Sequence, residues 1–148
     1  MKSLLSSILI IIFFGLSLIH FYWANGGQFG FDNALPMNEQ GIPMLNPTTI
    51  DSILVGIILL LFGLFYLFSL NLLKRKFLVI VRNIGLWVIP IIFILRAFGD
   101  FKYIGFFKQI KSTEFAHLDT VFYSPLCLTI GIIGFILTSK KIKGANNV

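Results

Sequence analysis

The chain has 148 residues, 57% of them hydrophobic, 16% aromatic and only 12% charged. Soluble domains carry about 25% charged residues, so this composition is short of water-compatible surface and points to an integral membrane protein of one domain, residues 1–148. The net charge of +6 would suggest nucleic acid in a soluble protein, but the basic residues flank apolar runs and read as topology markers, with no nucleic-acid partner. The single cysteine, Cys127, excludes an internal disulfide and a CxxC redox pair.

The first apolar run extends from Leu4 to Ala24, about 30 Å of helix at about 1.5 Å per residue. It ends in His20-Phe21-Tyr22-Trp23, bulky rings that suit a membrane boundary and obstruct signal peptidase, so the reading is an uncleaved first span. Residues 26–49 are a loop with Asp32 and Glu39 and no lysine or arginine. Its prolines and glycines argue against a long regular element, and Asn46-Pro47 suits a helix cap with proline at the first helical position.

A second span is expected over residues 50–73, stopping at Lys74-Arg75-Lys76. The third, 77–98, contains Pro90, which denies a backbone bond to Leu86 and predicts a kink. Arg82 lies near the basic end, from which it can snorkel. Arg96 lies fourteen residues further on, roughly 21 Å along the axis, at the opposite boundary.

Residues 99–119 form a second loop, in which Phe101, Ile104, Phe107 and Ile110 recur every three positions with lysines between them. The pattern fits a short amphipathic segment in the interface or an irregular aromatic loop. The fourth span is expected over 120–139, capped by Asp119 or Thr120 and kinked at Pro125. Gly131 and Gly134 allow a neighbouring helix to approach closely.

Basic residues cluster at Lys2, at 74–76 and at Lys140, Lys141 and Lys143. The positive-inside rule then puts both termini in the cytoplasm and both loops outside, in the cytoplasmic membrane of a bacterium. Most of the chemically capable groups gather at that outer boundary. His20, Trp23, Arg96, Asp100, His117, Asp119 and Tyr123 are the candidate lining of a polar pocket, with Asp100 within reach of Arg96 as an ionic clamp. Each has a plainer reading: His20 as a boundary histidine bonded to a carbonyl, Trp23 and Tyr123 as belt aromatics, Asp119 as a helix cap, Cys127 as apolar filler. No metal-ligand spacing, phosphate loop or serine nucleophile elbow is present, so no metal or cofactor is expected and no catalytic residue can be named.

His20-x-x-Trp23, the stretch LRAFGDFKYIGFFK over 95–108, and Asp119-Thr120-x-x-Tyr123-Ser124-Pro125-Leu126-Cys127 resemble a bacterial family of small four-span membrane proteins, domain-of-unknown-function family thirty-nine ninety-five. The resemblance implies four spans and no particular activity. Residues and resemblance together predict an all-α, four-helix membrane bundle. Its outward pocket would bind a lipid headgroup, a small amphiphile or a partner subunit. The competing readings are a small enzyme acting on a lipid-like substrate, with His20 or Asp119 as acid or base, and a transporter or channel subunit working as a homo-oligomer.

Overall fold

The computed structural model describes residues 2–69 and 76–145, so Lys74 and Arg75 of the basic cluster at 74–76 lie outside the described residues. Four helices are long and apolar enough to cross a membrane, and no strand occurs among the described residues. This is the expected all-α, four-span architecture. Helix α1 runs Lys2–Ala24, α2 Thr49–Ser69 and α3 Lys76–Phe98. The fourth span is compound: a short α4, Glu114–Leu118, passes through a π-helical turn, Asp119–Tyr123, into α5, Ser124–Ala145.

The helices pack chiefly as two pairs, α1 on α2 and α3 on α5, and the pairs touch each other much less. Where they do meet, a ring cluster fills the centre. Phe13 packs edge-on to Phe62 and Phe93 and stacks on Tyr66. Around it lie Leu9, Leu59, Leu86, Ile89, Ile130, Ile133 and Leu137, all buried. Large apolar residues such as Ile11, Leu18, Leu54, Leu61, Ile84 and Leu95 remain exposed on the outer faces, as lipid contact requires.

Hydrocarbon supplies no hydrophobic drive between helices, so polar contacts and close approach contribute to holding the pairs together. Ser6 and Ser17 of α1 donate to the carbonyls of Tyr66 and Gly56 of α2, at 3.2 and 2.8 Å. In the other pair, a Cβ at Gly134 would lie 2.8 Å from Pro90 Cβ, and one at Gly131 would collide with the Ile94 side chain. The glycines therefore admit α3, as expected. Pro90 is fully buried at this contact and α3 continues through it. The carbonyl that proline deprives of its donor, Leu86 O, receives the Thr138 hydroxyl of α5 at 2.6 Å. The same hydroxyl lies 2.9 Å from Gly134 O. A cross-helix bond thus replaces the missing intrahelical one, which is how proline is accommodated in a membrane span.

Two helix starts differ from the expected ones. Helix α2 is capped by Thr48 rather than Asn46: Thr48 N and Oγ1 both donate to Asp51 Oδ2, at 2.7 and 2.8 Å, and Asp51 N points back to Thr48 Oγ1 at 3.3 Å. This is a reciprocal capping box. The fourth span starts at a Thr113 cap, whose hydroxyl accepts from Ala116 N at 3.1 Å, and not at Asp119 or Thr120. The earlier start adds a turn and a half before the π-turn. There Ser124 N reaches back five residues to Asp119 O, and the wider turn delivers the chain to Pro125.

Candidate functional site

The second loop closes the C-terminal end of α3 with three residues at positive φ. Gly99 (φ 84°) and Gly105 (φ 89°) lie back to back, so that a Cβ on Gly99 would overlap the Ile104 carbonyl and one on Gly105 the Phe98 carbonyl. Phe101 also has positive φ, at 63°, a position rarely tolerated outside glycine. The loop contains no helix between Gly99 and Thr113, so the irregular aromatic reading holds, with Phe107 against Phe98 and Phe101.

Asp100 anchors that tight loop. Its Oδ1 accepts from the backbone amides of Lys102, Tyr103 and Ile104 at 2.9, 2.7 and 2.9 Å. Slight burial opposes its ionisation, but the amides of Ile104, Tyr103 and Lys102 outweigh it and hold the carboxyl below the usual carboxylate range. The expected Arg96–Asp100 clamp is therefore replaced. Asp100 is exposed and works as a loop cap, because α3 ends at Phe98 and the chain turns away before the carboxylate comes round to Arg96.

The partner of Arg96 is Asp119. Arg96 Nη2 donates to Asp119 Oδ1 at 2.9 Å. Asp119 Oδ2 accepts from the Gly105 amide at 2.8 Å and from Lys108 Nζ at 3.1 Å. Lys108 Nζ also reaches Gly105 O at 3.0 Å and Thr120 Oγ1 at 2.6 Å, completing an ammonium's three donors. Asp119 is fully buried and the Lys108 side chain nearly so, whereas Arg96 keeps 31% of its side chain exposed. Asp119, expected as a simple helix cap, is instead the hub joining α3, the second loop and the π-turn. Lys108 was not legible as part of this hub. In sequence it matches Lys102 and Lys111, which are exposed.

Beside the hub, between the two helix pairs, lies a cavity of about 600 Å³. Leu16, Ile19, His20 and Trp23 of α1, Ser52 and Val55 of α2, and Leu126, Cys127 and Ile130 of α5 line it. The first loop covers it with Phe29, Phe31, Leu35 and Pro36. Trp23 Nε1 donates to Phe29 O at 2.9 Å, and Tyr123 Oη to Asn33 O at 3.3 Å, so cavity-lining side chains hold this loop. His20 Nδ1 lies 2.9 Å from Leu16 O, and its ring meets Trp23 edge-on with centroids 4.9 Å apart.

Of the seven candidate residues, His20, Trp23, Arg96 and Tyr123 share the cavity wall. Asp119 lies behind Arg96, while Asp100 and His117 are exposed and outside the lining. His117 points away because α4 turns its buried face, Phe115 and Ala116, inward. The pocket also differs in character from the expected polar one: most of its wall is apolar, with polar groups at a few points. Arg96 is the most informative of these. Its Nη1 is buried and has no hydrogen-bond partner among the described residues.

Fold and site together define a four-span helical membrane protein with an apolar cavity between its helix pairs at one end. The chain belongs to the family described as "Protein of unknown function (DUF3995)", whose profile matches residues 13–134. No curated protein and no solved structure matches it.

Proposed function

We propose that this protein is a non-enzymatic binding protein of the bacterial cytoplasmic membrane, with both termini inside, that takes a lipid-like amphiphile into the cavity between its helix pairs. The observation that carries this reading is the cavity itself. It has ligand-sized volume, apolar walls and a small set of polar groups, the usual make-up of a small-molecule site. Its lining includes the exposed apolar residues Tyr22, Phe29, Leu45 and Phe122. Such a rim favours an entrant that arrives from the bilayer over a water-soluble one.

The enzyme reading has less support. Asp119 is fully buried behind Arg96 with both oxygens held by cations and an amide, which disfavours it as a base. His20 has no acidic partner among the described residues to orient it, its Nδ1 lying on the Leu16 carbonyl.

The test is mass spectrometry of amphiphiles that copurify with the protein, compared with a Val55→Trp variant whose added ring fills the cavity. The expected result is a bound species retained by the wild type and lost from the variant, with folding unchanged by circular dichroism. Equal retention by both would overturn the reading.

A further inference from the structure

Resting on that reading, we infer that the occupant is a single-chain amphiphile with an anionic, carboxylate-like head, its head on Arg96 and its chain along Leu16, Val55, Leu126 and Ile130. The charge argument begins with the guanidinium, which presents its donors as a planar fork. Asp119 takes only Nη2. Nη1 remains a buried, unpartnered donor on a residue that lines the cavity. A buried donor left unpaired costs about 1–3 kcal/mol, and a turn of the partly exposed guanidinium that brings Nη1 to an anionic acceptor in the cavity removes that cost.

The hub fixes the sign of the local charge. Within the hub Arg96 and Lys108 outnumber the single Asp119 carboxylate by one; the Asp51 carboxylate on the opposite wall offsets that excess for the cavity as a whole, so the positive character is local to Arg96. The other charged lining residue, Asp51, lies at the start of α2 and commits its Oδ2 to the Thr48 amide and hydroxyl.

Volume argues for one chain. A cavity of about 600 Å³ lies inside the range of small-molecule sites, roughly 300–1,000 Å³. That is room for one long acyl chain with a compact head. The apolar lining residues Leu16, Val55, Leu126 and Ile130 give such a chain its contact surface.

The molecule carries its own reporter. It has two tryptophans; Trp23 lines the cavity, and Trp87 packs against Phe135 on the half-exposed face of α3. In a Trp87→Phe background, in phosphatidylcholine nanodiscs, dibromostearate is expected to quench Trp23 saturably. In a Trp23→Phe protein it quenches Trp87 only in proportion to its bilayer concentration. Stearate is expected to reverse Trp23 quenching, with stearyl alcohol and stearylamine each roughly tenfold or more weaker. Arg96→Lys preserves a cation for Asp119 but gives up the second arm of the fork, and is expected to bring stearate down to the level of the alcohol.

The outcomes separate the two claims. Saturable quenching that alcohol and acid reverse equally, or that Arg96→Lys leaves unchanged, overturns the anionic head while the amphiphile cavity stands. Reversal by stearylamine at lower concentrations than stearate does the same and moves recognition to Asp51. Reversal by phosphatidylglycerol at concentrations matching stearate overturns the single chain. No saturable quenching of Trp23 by any amphiphile overturns both readings.

Discussion

Asp119 joins three parts of this structure, because one buried carboxylate satisfies a guanidinium, an ammonium and a backbone amide. Removing one member of a buried ion pair leaves an uncompensated charge and costs about 3–5 kcal/mol. Asp119→Asn, which leaves the buried Lys108 ammonium facing a neutral amide, is expected to fall in that range in thermal or denaturant unfolding of the detergent-solubilised protein. Lys108→Met/Asp119→Asn is expected to lose less than the two single changes summed, since the second substitution removes the charge that the first strands. Arg96 and Asp100, by contrast, share no bond, and losses from Arg96→Gln and Asp100→Asn are expected to add. Strong coupling between Arg96 and Asp100, or additivity between Lys108 and Asp119, would contradict the hub.

At the scale of the element, the α3–α5 pair depends on an exchange of hydrogen bonds. Pro90 brings an apolar ring against Gly131 and Gly134 but removes the donor for Leu86 O, and Thr138 supplies a replacement from the partner helix. Thr138→Val keeps the shape and strands that carbonyl where no water reaches it, an expected loss of about 1–3 kcal/mol. Pro90→Ala restores a backbone N–H at position 90, able to reach Leu86 O in the usual i to i−4 pattern. The substitution of Thr138 is therefore expected to be markedly less costly in a Pro90→Ala background. A Thr138→Val loss of the same size in both backgrounds would remove this hydroxyl from the account of how the span tolerates proline.

At the scale of the whole molecule, the two loops share one direction. Both loops lie at one end, joined where Tyr123 of the π-turn donates to Asn33 O of the first loop, so they must face the same side of the bilayer. The proposed orientation follows from lysine and arginine at the other end. In a Cys127→Ala background, cysteines at Asn33 and Ser112 are expected to react with an impermeant thiol reagent in intact cells. One at Asn147, outside the described residues, is expected to react only after permeabilisation. The reverse pattern would turn the cavity toward the cytoplasm.

Length and hydropathy by themselves determined the four spans. The ends of α1 and α3 fell within two residues of the expected ones, because a hydrocarbon layer imposes a single rule, continuous apolar helix, that is written along the chain. Positions in His20-x-x-Trp23 and at Arg96 and Tyr123 were legible as boundary chemistry for the same reason. The partners of the charges were not. Asp100 is nearer to Arg96 in sequence, yet positive φ at Gly99 turns it toward its own loop amides, while Asp119, twenty-three residues away from Arg96, takes the guanidinium. Lys108 joined them though its sequence surroundings match those of its exposed neighbours. The apolar character of the pocket was also decided in three dimensions, by a first loop folded across the gap between two helix pairs. Spans are set by transfer of single segments into lipid, a local quantity. Ion pairing and cavity shape depend on which distant segments meet, and only the packed chain decides that.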